Sequence, residues 1–301
     1  MVINMVENKS FHSRVRITII YVIVLLLGLS CLLPLLNILA ISLSGSAAVS
    51  ANRVGVLPVD FTLTAYNKIL SDGQFWRSFM ISVIRVILSL ALNLAVTVPM
   101  AYAMTKDKRE FRARNLYMNL LIFAMLFNGG MIPTYILVRN LGMLNSIWSL
   151  VLPGALPIFN VILLMNFFLG IPKSLEEAAL MDGANPIQIL LRIMVPCAKP
   201  CLATISLFSI VGSWNDFFSG LIYMQKTENY PIMTYIQSLN VDIQELLKNG
   251  ATSNALENIT ELSNRNLNAA KIVDAVIPLL MIYPILQKYL ITGIVMGSVK
   301  E

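Results

Sequence analysis

The residues that could do chemistry in this chain of 301 residues are few, and their spacing excludes most of it. There is one histidine, and Cys31, Cys197 and Cys201 lie in apolar surroundings, so neither a disulfide framework nor a thiol–imidazole metal site is expected. The carboxylates are scattered and form no recognisable acid–base pair. No G-x-x-x-x-G-K-[ST] run occurs, so nothing here is expected to cradle a nucleoside triphosphate. What remains is a set of polar residues inside apolar runs: Asn37, Arg85, Asn93, Asn119, Asn128, Asn160, Asn166, Asn215 and Asp216. Each is costly in lipid unless it faces protein or water. For most of them an interhelical hydrogen bond is the expected role. Arg85 and Asp216 are the costliest, and each needs a partner; the sequence alone does not say whether they pair with each other.

The elements that must hold these residues are membrane spans. The chain is 57% hydrophobic and 13% charged, against about a quarter charged in a soluble domain. Six stretches have the roughly 20 apolar residues a spanning helix needs: about Ile17–Leu43, Phe75–Met104, Leu116–Val138, Ile147–Leu169, Leu202–Met224 and Ile272–Val295. The first lacks a small-residue cleavage site after a short apolar core, which makes it a retained span and not a signal peptide. Basic residues gather in the N-terminal tail (Lys9, Arg14, Arg16), the second-to-third connection (Lys106, Lys108, Arg109, Arg112, Arg114) and the fourth-to-fifth (Lys173, Arg192, Lys199). By the positive-inside rule these are cytoplasmic, as are both termini. The net charge of +6 thereby reports topology, and no nucleic-acid partner is expected. The expected organisation is a tail at 1–16, a transmembrane domain at 17–297 and a tail at 298–301, with membrane lipid as the surrounding partner.

Two sizeable pieces lie outside the spans. Ser44–Gln74 interleaves Thr62, Thr64, Tyr66 and Lys68 with apolar residues and suits a short interfacial helix, with Trp76 as an aromatic anchor. The second, 225–270, is an extracytoplasmic insertion carrying Ile236, Leu239, Ile243, Leu246 and Leu247 at helical spacing. That patch either meets a partner or folds onto this chain. Prolines 34, 99, 133, 153, 157, 278 and 284 lie in or at the ends of spans and mark kinks.

The fourth-to-fifth connection, 170–196, does not behave as a loop. Ser174 can cap a helix with Glu177 completing a capping box, and Gly183 supplies its stop. Asn185 can cap a second helix with Pro186 at its first position, and Val195-Pro196 then forces a turn. The two short helices would present an apolar ridge of Leu180, Ile187, Leu190, Leu191 and Met194, a surface that suits a docking protein.

Glu177-Ala-Ala-Leu-Met-Asp-Gly183-Ala, followed by Ile193 and Val195-Pro196, resembles the EAA signature of permease subunits in binding-protein-dependent ABC importers. Val195 stands where that family usually has leucine, a mild apolar exchange. Gly130-Met-Ile-Pro-Thr-Tyr, Phe167-Phe168, Ile171-Pro172 and Trp214-Asn-Asp-Phe-Phe218 extend the likeness to maltose-type carbohydrate permeases. The ending from Tyr283 to Lys300 resembles a branch that imports complex oligosaccharides. The resemblance implies an all-α membrane protein with six transmembrane helices of the type I ABC importer permease fold and a cytoplasmic coupling helix, in the bacterial cytoplasmic membrane. Glu177, Ala178, Ala179, Asp182 and Gly183 would then dock the ATPase, with Glu177 offering a carboxylate to a basic residue, the alanines allowing close approach and Gly183 permitting the bend.

The same resemblance implies a transport subunit that is not an enzyme and has no ATPase site of its own. It would need a cytoplasmic ABC ATPase dimer, a second related permease and an extracytoplasmic sugar-binding (lipo)protein. This chain would hold no cofactor, ATP and Mg being bound by the ATPase subunits. Asn128, Asn160, Trp214, Asn215 and Asp216 are the candidates for the substrate path, the amides for sugar hydroxyls and the rings of Trp214 or Phe217 for the apolar sugar face. The choice between neutral and acidic sugars stays open. An ion-coupled secondary transporter is the alternative; it should show repeats and midplane carboxylates, for which Asp216 is the main candidate and Asp274 lies near an edge.

Overall fold

The computed structural model describes residues 11–127, 129–239 and 265–298. Among them every regular element is helical: α1 Phe11–Ser42, α2 Ser46–Ser50, α3 Thr64–Ser71, α4 Gly73–Thr105, α5 Arg114–Leu126, α6 Met131–Asn140, α7 Ile147–Val151, α8 Ile158–Leu169, α9 Lys173–Met181, α10 Pro186–Ile189, α11 Val195–Cys197, α12 Lys199–Asn215, α13 Phe218–Tyr223, α14 at 232–239 and α15 Arg265–Ser298. A 3₁₀ turn, Leu152–Gly154, follows α7, and a π-helical turn, Leu190–Met194, joins α10 to α11. Two compact units emerge among the described residues, one from 11–71 with the start of α15 to Asp274, the other from 72–239 with α15 from Ala275 onward.

Three helices are long and apolar enough to cross a membrane unbroken: Val15–Ser42, Gly73–Thr105 and Arg265–Pro284. The other spans are broken. The third is α5 with α6, and the fourth joins Ile147–Gly154 to Ile158–Leu169 through a 46° bend, where Pro153 and Pro157 remove two backbone donors. The last bent pair joins Pro186–Cys197 to Lys199–Asn215 at 84°, and α13 follows α12 past a break at Asp216-Phe217. Counting each bent pair as one span by length and composition gives six among the described residues, the number expected. Pro34, Pro99, Pro278 and Pro284 sit inside helices without ending them. The first helix begins at Phe11, ahead of the tail boundary expected at residue 16.

In the first unit α1 leaves its apolar side chains exposed, Tyr21, Val24 and Leu25 each at 60% or more. A surface of this kind is compatible only with lipid or another apolar chain. The connection after it is built on its own polar groups. Asn37 Nδ2 donates to Gly55 O at 2.6 Å, Ser42 Oγ lies 2.9 Å from Tyr66 Oη, and Ser44 Oγ accepts from Val59 N. The interfacial helix expected from Ser44–Gln74 forms as α3, burying Ala65 and Ile69.

The second unit is organised around α4, which packs chiefly against α8 and α12. Asp72 caps it by accepting from Phe75 N at 3.1 Å. Its 33 residues extend about 50 Å at 1.5 Å per residue, well beyond the ~30 Å hydrocarbon thickness. Its buried face is polar: Ser78, Ser82, Arg85, Ser89, Asn93 and Thr97 recur every three or four residues and point inward, while Met80, Ile84 and Ile87 are exposed. A helix in lipid can invert the pattern of a soluble one, because only protein can satisfy the polar stripe.

The beginning of the 225–270 insertion is folded into this unit. Ile232, Thr234 and Ile236 are buried; Ile232 N donates to Ser82 Oγ at 2.7 Å and Tyr235 Oη to Asp72 Oδ2 at 2.9 Å. Asn145, at φ +59°, accepts from Gln225 N, Lys226 N and Asn229 Nδ2, tying the turn before α7 to the turn after α13. Ile236 therefore meets this chain and not a partner, while Ile243, Leu246 and Leu247 lie outside the described residues. Residues 265–270 belong to α15.

The approach of α14 to α13 depends on one glycine. A Cβ at Gly220 would collide with Oγ1 of Thr234 and fall 2.9 Å from its Cβ and Cγ2; that Oγ1 donates to Phe217 O at 2.9 Å. Gly220→Ala is expected to destabilise the purified protein by about 1–3 kcal/mol through overpacking, and Thr234→Ala in the same chain, which removes Oγ1 and Cγ2, to recover part of it. Thermal unfolding in detergent measures both; an unshifted Gly220→Ala transition would contradict the packing.

Candidate functional site

Two places in the second unit gather functional side chains. The first is the connection around α9. Helix α9 starts at Lys173 after Pro172 with no side-chain cap, so the box expected from Ser174 and Glu177 does not form. The preceding glutamate does the fixing instead. Glu176 Oε1 accepts from Tyr102 Oη at 2.8 Å and pairs with Lys106 Nζ, which also lies 4.3 Å from the centre of the Tyr102 ring. The Lys106 and Glu176 side chains are only 18% and 22% exposed, so this cluster is worth more than the open Lys173–Asp107 pair, of a kind that contributes about 0–1 kcal/mol. Successive residues on a helix diverge by about 100°, so with Glu176 turned onto the end of α4, Glu177 faces outward and is exposed.

The stop and restart are those expected, in finer detail. Gly183, at φ +79°, lets Gly183 N donate to Leu180 O and Ala184 N to Ala179 O, the paired bonds of a Schellman end that only glycine adopts without strain. Asn185 and Gln188 then form a reciprocal capping box, with Pro186 at the first position. The chain does not turn at Pro196. The backbone loosens into the π turn at Leu190–Met194, passes through α11 and bends by 84° at Ala198, a register shift that accommodates the donor missing from Pro196.

The ridge divides accordingly. Leu190 and Met194 are buried, along with Ala179, Ile189 and Ala198, in a core shared with Leu164 and Phe168 of α8 and Ala101 and Tyr102 of α4. They do not belong to a docking surface. Leu180, Ile187 and Leu191 stay more than half exposed, joined by Met181 at 89%. Ala178, Asp182 and Gly183 are exposed with Glu177, whereas Ala179 faces the core.

The second place is the break after α12. Arg85 and Asp216 pair with each other: Arg85 Nη2 donates to Asp216 Oδ2 at 2.5 Å and Nη1 to Asp216 O at 2.9 Å. Asp216 Oδ1 also accepts from Ser219 N at 3.1 Å. One side chain thus starts α13, and its partner satisfies a carbonyl freed where α12 ends, a terminus that lipid could not solvate. The arginine side chain is 4% exposed and the aspartate 30%.

The other candidates for the substrate path scatter. Trp214 is buried, donates from Nε1 to Ala275 O at 3.0 Å and packs edge-on to Phe79; it joins α12 to α15. Asn160 is buried near the start of α8, Asn215 is exposed, and Asn128 lies outside the described residues. The sequence reading missed Glu176 and the serines and threonine of the α4 stripe. Their three- and four-residue recurrence among apolar neighbours was the available signal.

Long apolar helices and bent helix pairs, with an exposed two-helix connection around α9, suit a transport permease subunit. The chain belongs to the binding-protein-dependent transport system inner membrane component family, whose profile matches residues 98–296. It is 39% identical over 91% of its length to Protein LplC of Bacillus subtilis (strain 168), covering 90% of that protein. It is 34% identical over 96% of its length to the polygalacturonan/rhamnogalacturonan transport system permease protein YtcP of the same organism, covering 99% of it. A crystal structure of a bacterial ABC transporter involved in the import of the acidic polysaccharide alginate contains a chain that superposes with a TM-score of 0.81 at 34% identity, over 93% of this chain and 98% of that one. The protein is a multi-pass permease of a sugar ABC importer with the type I permease fold, and the ion-coupled alternative has no support.

Removing one member of the Arg85–Asp216 pair leaves a buried charge alone. Arg85→Leu and Asp216→Leu are each expected to cost about 3 kcal/mol, the low end for buried pairs because Asp216 is partly exposed. The double variant should recover most of that, less about 1 kcal/mol for the lost cap of α13. Unfolding of the purified protein measures the cycle; strictly additive losses would show that the two groups do not interact.

Proposed function

We propose that this chain carries an oligosaccharide across the bacterial cytoplasmic membrane by alternating access, driven by a separate ATPase that docks on the 170–196 connection. The observation that carries this reading is the division at α9. Glu176 is clamped onto the end of α4, while Glu177, Met181, Ile187 and Leu191 remain exposed on the same connection. A segment that is rigidly joined to a transmembrane helix and exposed on its far side can turn the closing of a partner into movement of that helix.

In this reading Glu177, Ala178, Asp182 and Gly183 touch the ATPase and Ala179 supports them from within. The face bearing α9 and the basic 106–114 connection is cytoplasmic, as are both termini. The ATPase dimer binds ATP and Mg; this chain has no ATPase site. A second, related permease completes the path, and an extracytoplasmic sugar-binding protein delivers the substrate. YtcP supports the oligosaccharide class through the polysaccharides in its name.

The test is retention of the ATPase by the tagged chain purified from its native membrane. Glu177→Ala is expected to weaken retention about tenfold, or ~1.4 kcal/mol, the scale of one interfacial charge contact, with unchanged thermal unfolding of the permease. Glu176→Ala should lower both. Full retention by Glu177→Ala would remove the coupling role from that residue, and an active transport complex with no ATPase in it would overturn the proposal.

A further inference from the structure

The connection between α4 and α5 carries charge that the described residues leave unanswered. Backbone bonds from Glu110 N and Phe111 N to Asp107 O, and from Arg114 N to Phe111 O, fold residues 107–114 into successive tight turns. Both carboxylates of these turns are engaged: Asp107 Oδ2 lies 3.8 Å from Lys173 Nζ, and Glu110 Oε2 lies 3.8 Å from Lys106 Nζ. Arg114 donates from Nε to Met104 O at 2.8 Å. Lys108, Arg109 and Arg112 are exposed and enter no hydrogen bond or ion pair among the described residues.

These three cations are held at a defined level. Phe111 packs against the core that α4 shares with α8, and its ring stacks on that of Tyr117 in the first turn of α5, with centroids 5.7 Å apart and planes 22° from parallel. The contact pins the turns beside the start of α5. An apolar flank begins at the same place, because Leu116, Tyr117, Leu120 and Phe123 are all exposed on α5. From Leu116 to Phe123 it runs about 10 Å along the helix at 1.5 Å per residue. Cations and a phenol at the edge of an apolar flank match the boundary of a bilayer, where ring and aliphatic stems lie among acyl chains and the polar tips among headgroups.

We propose that Lys108, Arg109 and Arg112, with Tyr117 and the exposed flank of α5, form a binding surface for an anionic phospholipid. The lipid phosphate answers the cations, the two guanidinium forks matching paired phosphate oxygens, and its acyl chains cover the flank. A zwitterionic lipid fits less well, since its own cation competes for the phosphate. A water-soluble acidic partner could meet the charges but could not follow the apolar flank into the bilayer. The surface depends on the membrane-spanning fold alone and holds whichever way the chain faces and whatever sugar it carries.

The test is fluorescence quenching on the complete importer in lipid nanodiscs. Leu116→Cys, in a chain whose exposed Cys31 and Cys197 are changed to serine, carries a bimane label. The quenchers are phosphatidylglycerol and phosphatidylcholine, each spin-labelled at the top of an acyl chain. Phosphatidylglycerol is expected to bind beside the label about fivefold more tightly than phosphatidylcholine, the scale of attraction for cations at headgroup level. Lys108→Gln, Arg109→Gln and Arg112→Gln together should bring that ratio below about twofold, with thermal unfolding of the importer unchanged. Raising the ionic strength from about 0.1 M to about 1 M, which shortens the screening length from about 10 Å to about 3 Å, should do the same. Should the triple variant fail to assemble, Arg109→Gln and Arg112→Gln are each expected to lower the ratio singly. Equal quenching by the two lipids before any cation is removed, or a preference that survives the substitutions, would overturn the surface. A preference that appears only once the ATPase is stripped away would assign the three cations to that subunit, and would overturn it as well.

Discussion

A polar group inside a lipid bilayer has no water to fall back on, and that constraint shapes the second unit from α4 outward. The helix presents serines, an arginine, an asparagine and a threonine on its buried face and apolar residues on its exposed one. Whatever packs on that face must answer in kind. Ser82 receives the amide of Ile232, Asn93 reaches Gly154 O, and Arg85 takes both a carboxylate and a freed carbonyl from the break at Asp216. The interruptions in α7–α8 and α12–α13 are therefore part of the same arrangement. Broken helices supply backbone groups that a polar stripe can bond, and the stripe makes broken helices tolerable in lipid.

A different interaction governs the end of α4 that reaches past the apolar layer. There the Tyr102–Lys106–Glu176 cluster and the small, buried Ala179 and Ala198 hold the connection against the bundle. The π turn at Leu190–Met194 and the 84° bend at Ala198 then carry the chain into α12, the helix that leads to the ion pair. The α9 connection and the Arg85–Asp216 pair are thus joined through two elements, α4 and α12, whose packed side chains transmit displacement and do not absorb it.

Much of this was legible in the residues. Apolar length gave the six spans, and Gly183, Asn185 and Pro186 marked the stop, cap and first position of two short helices because each residue type has one dominant reason to be there. The EAA resemblance reached the right family. Other features were hidden for physical reasons. Glu176 and Glu177 are adjacent and chemically identical, and only the three-dimensional position of Lys106 and Tyr102 decides which one turns inward. Trp214 carries a donor and an aromatic ring that suit a sugar or a helix contact equally well, and the carbonyl of Ala275, 61 residues away in sequence, takes the donor. The capping box at Ser174 satisfied a local rule that lost to a tertiary ion pair. Arg85 and Asp216 were recognisable as expensive, but their pairing spans 131 positions and has no local signal.

The coupling claim is tested most directly by site-directed cross-linking in native membranes. Met181, 89% exposed on the α9 connection, is replaced by cysteine in a chain whose exposed Cys31 and Cys197 have been changed to serine. A short bis-maleimide is then applied in the presence of an ATPase subunit with one cysteine in its permease-facing cleft. The expected result is a cross-linked permease–ATPase product from the Met181 position whose yield changes when ATP is added, and none from a cysteine placed at Trp148 in α7. Absence of that product from a complex that still transports, or an equal yield from both positions, would contradict the account.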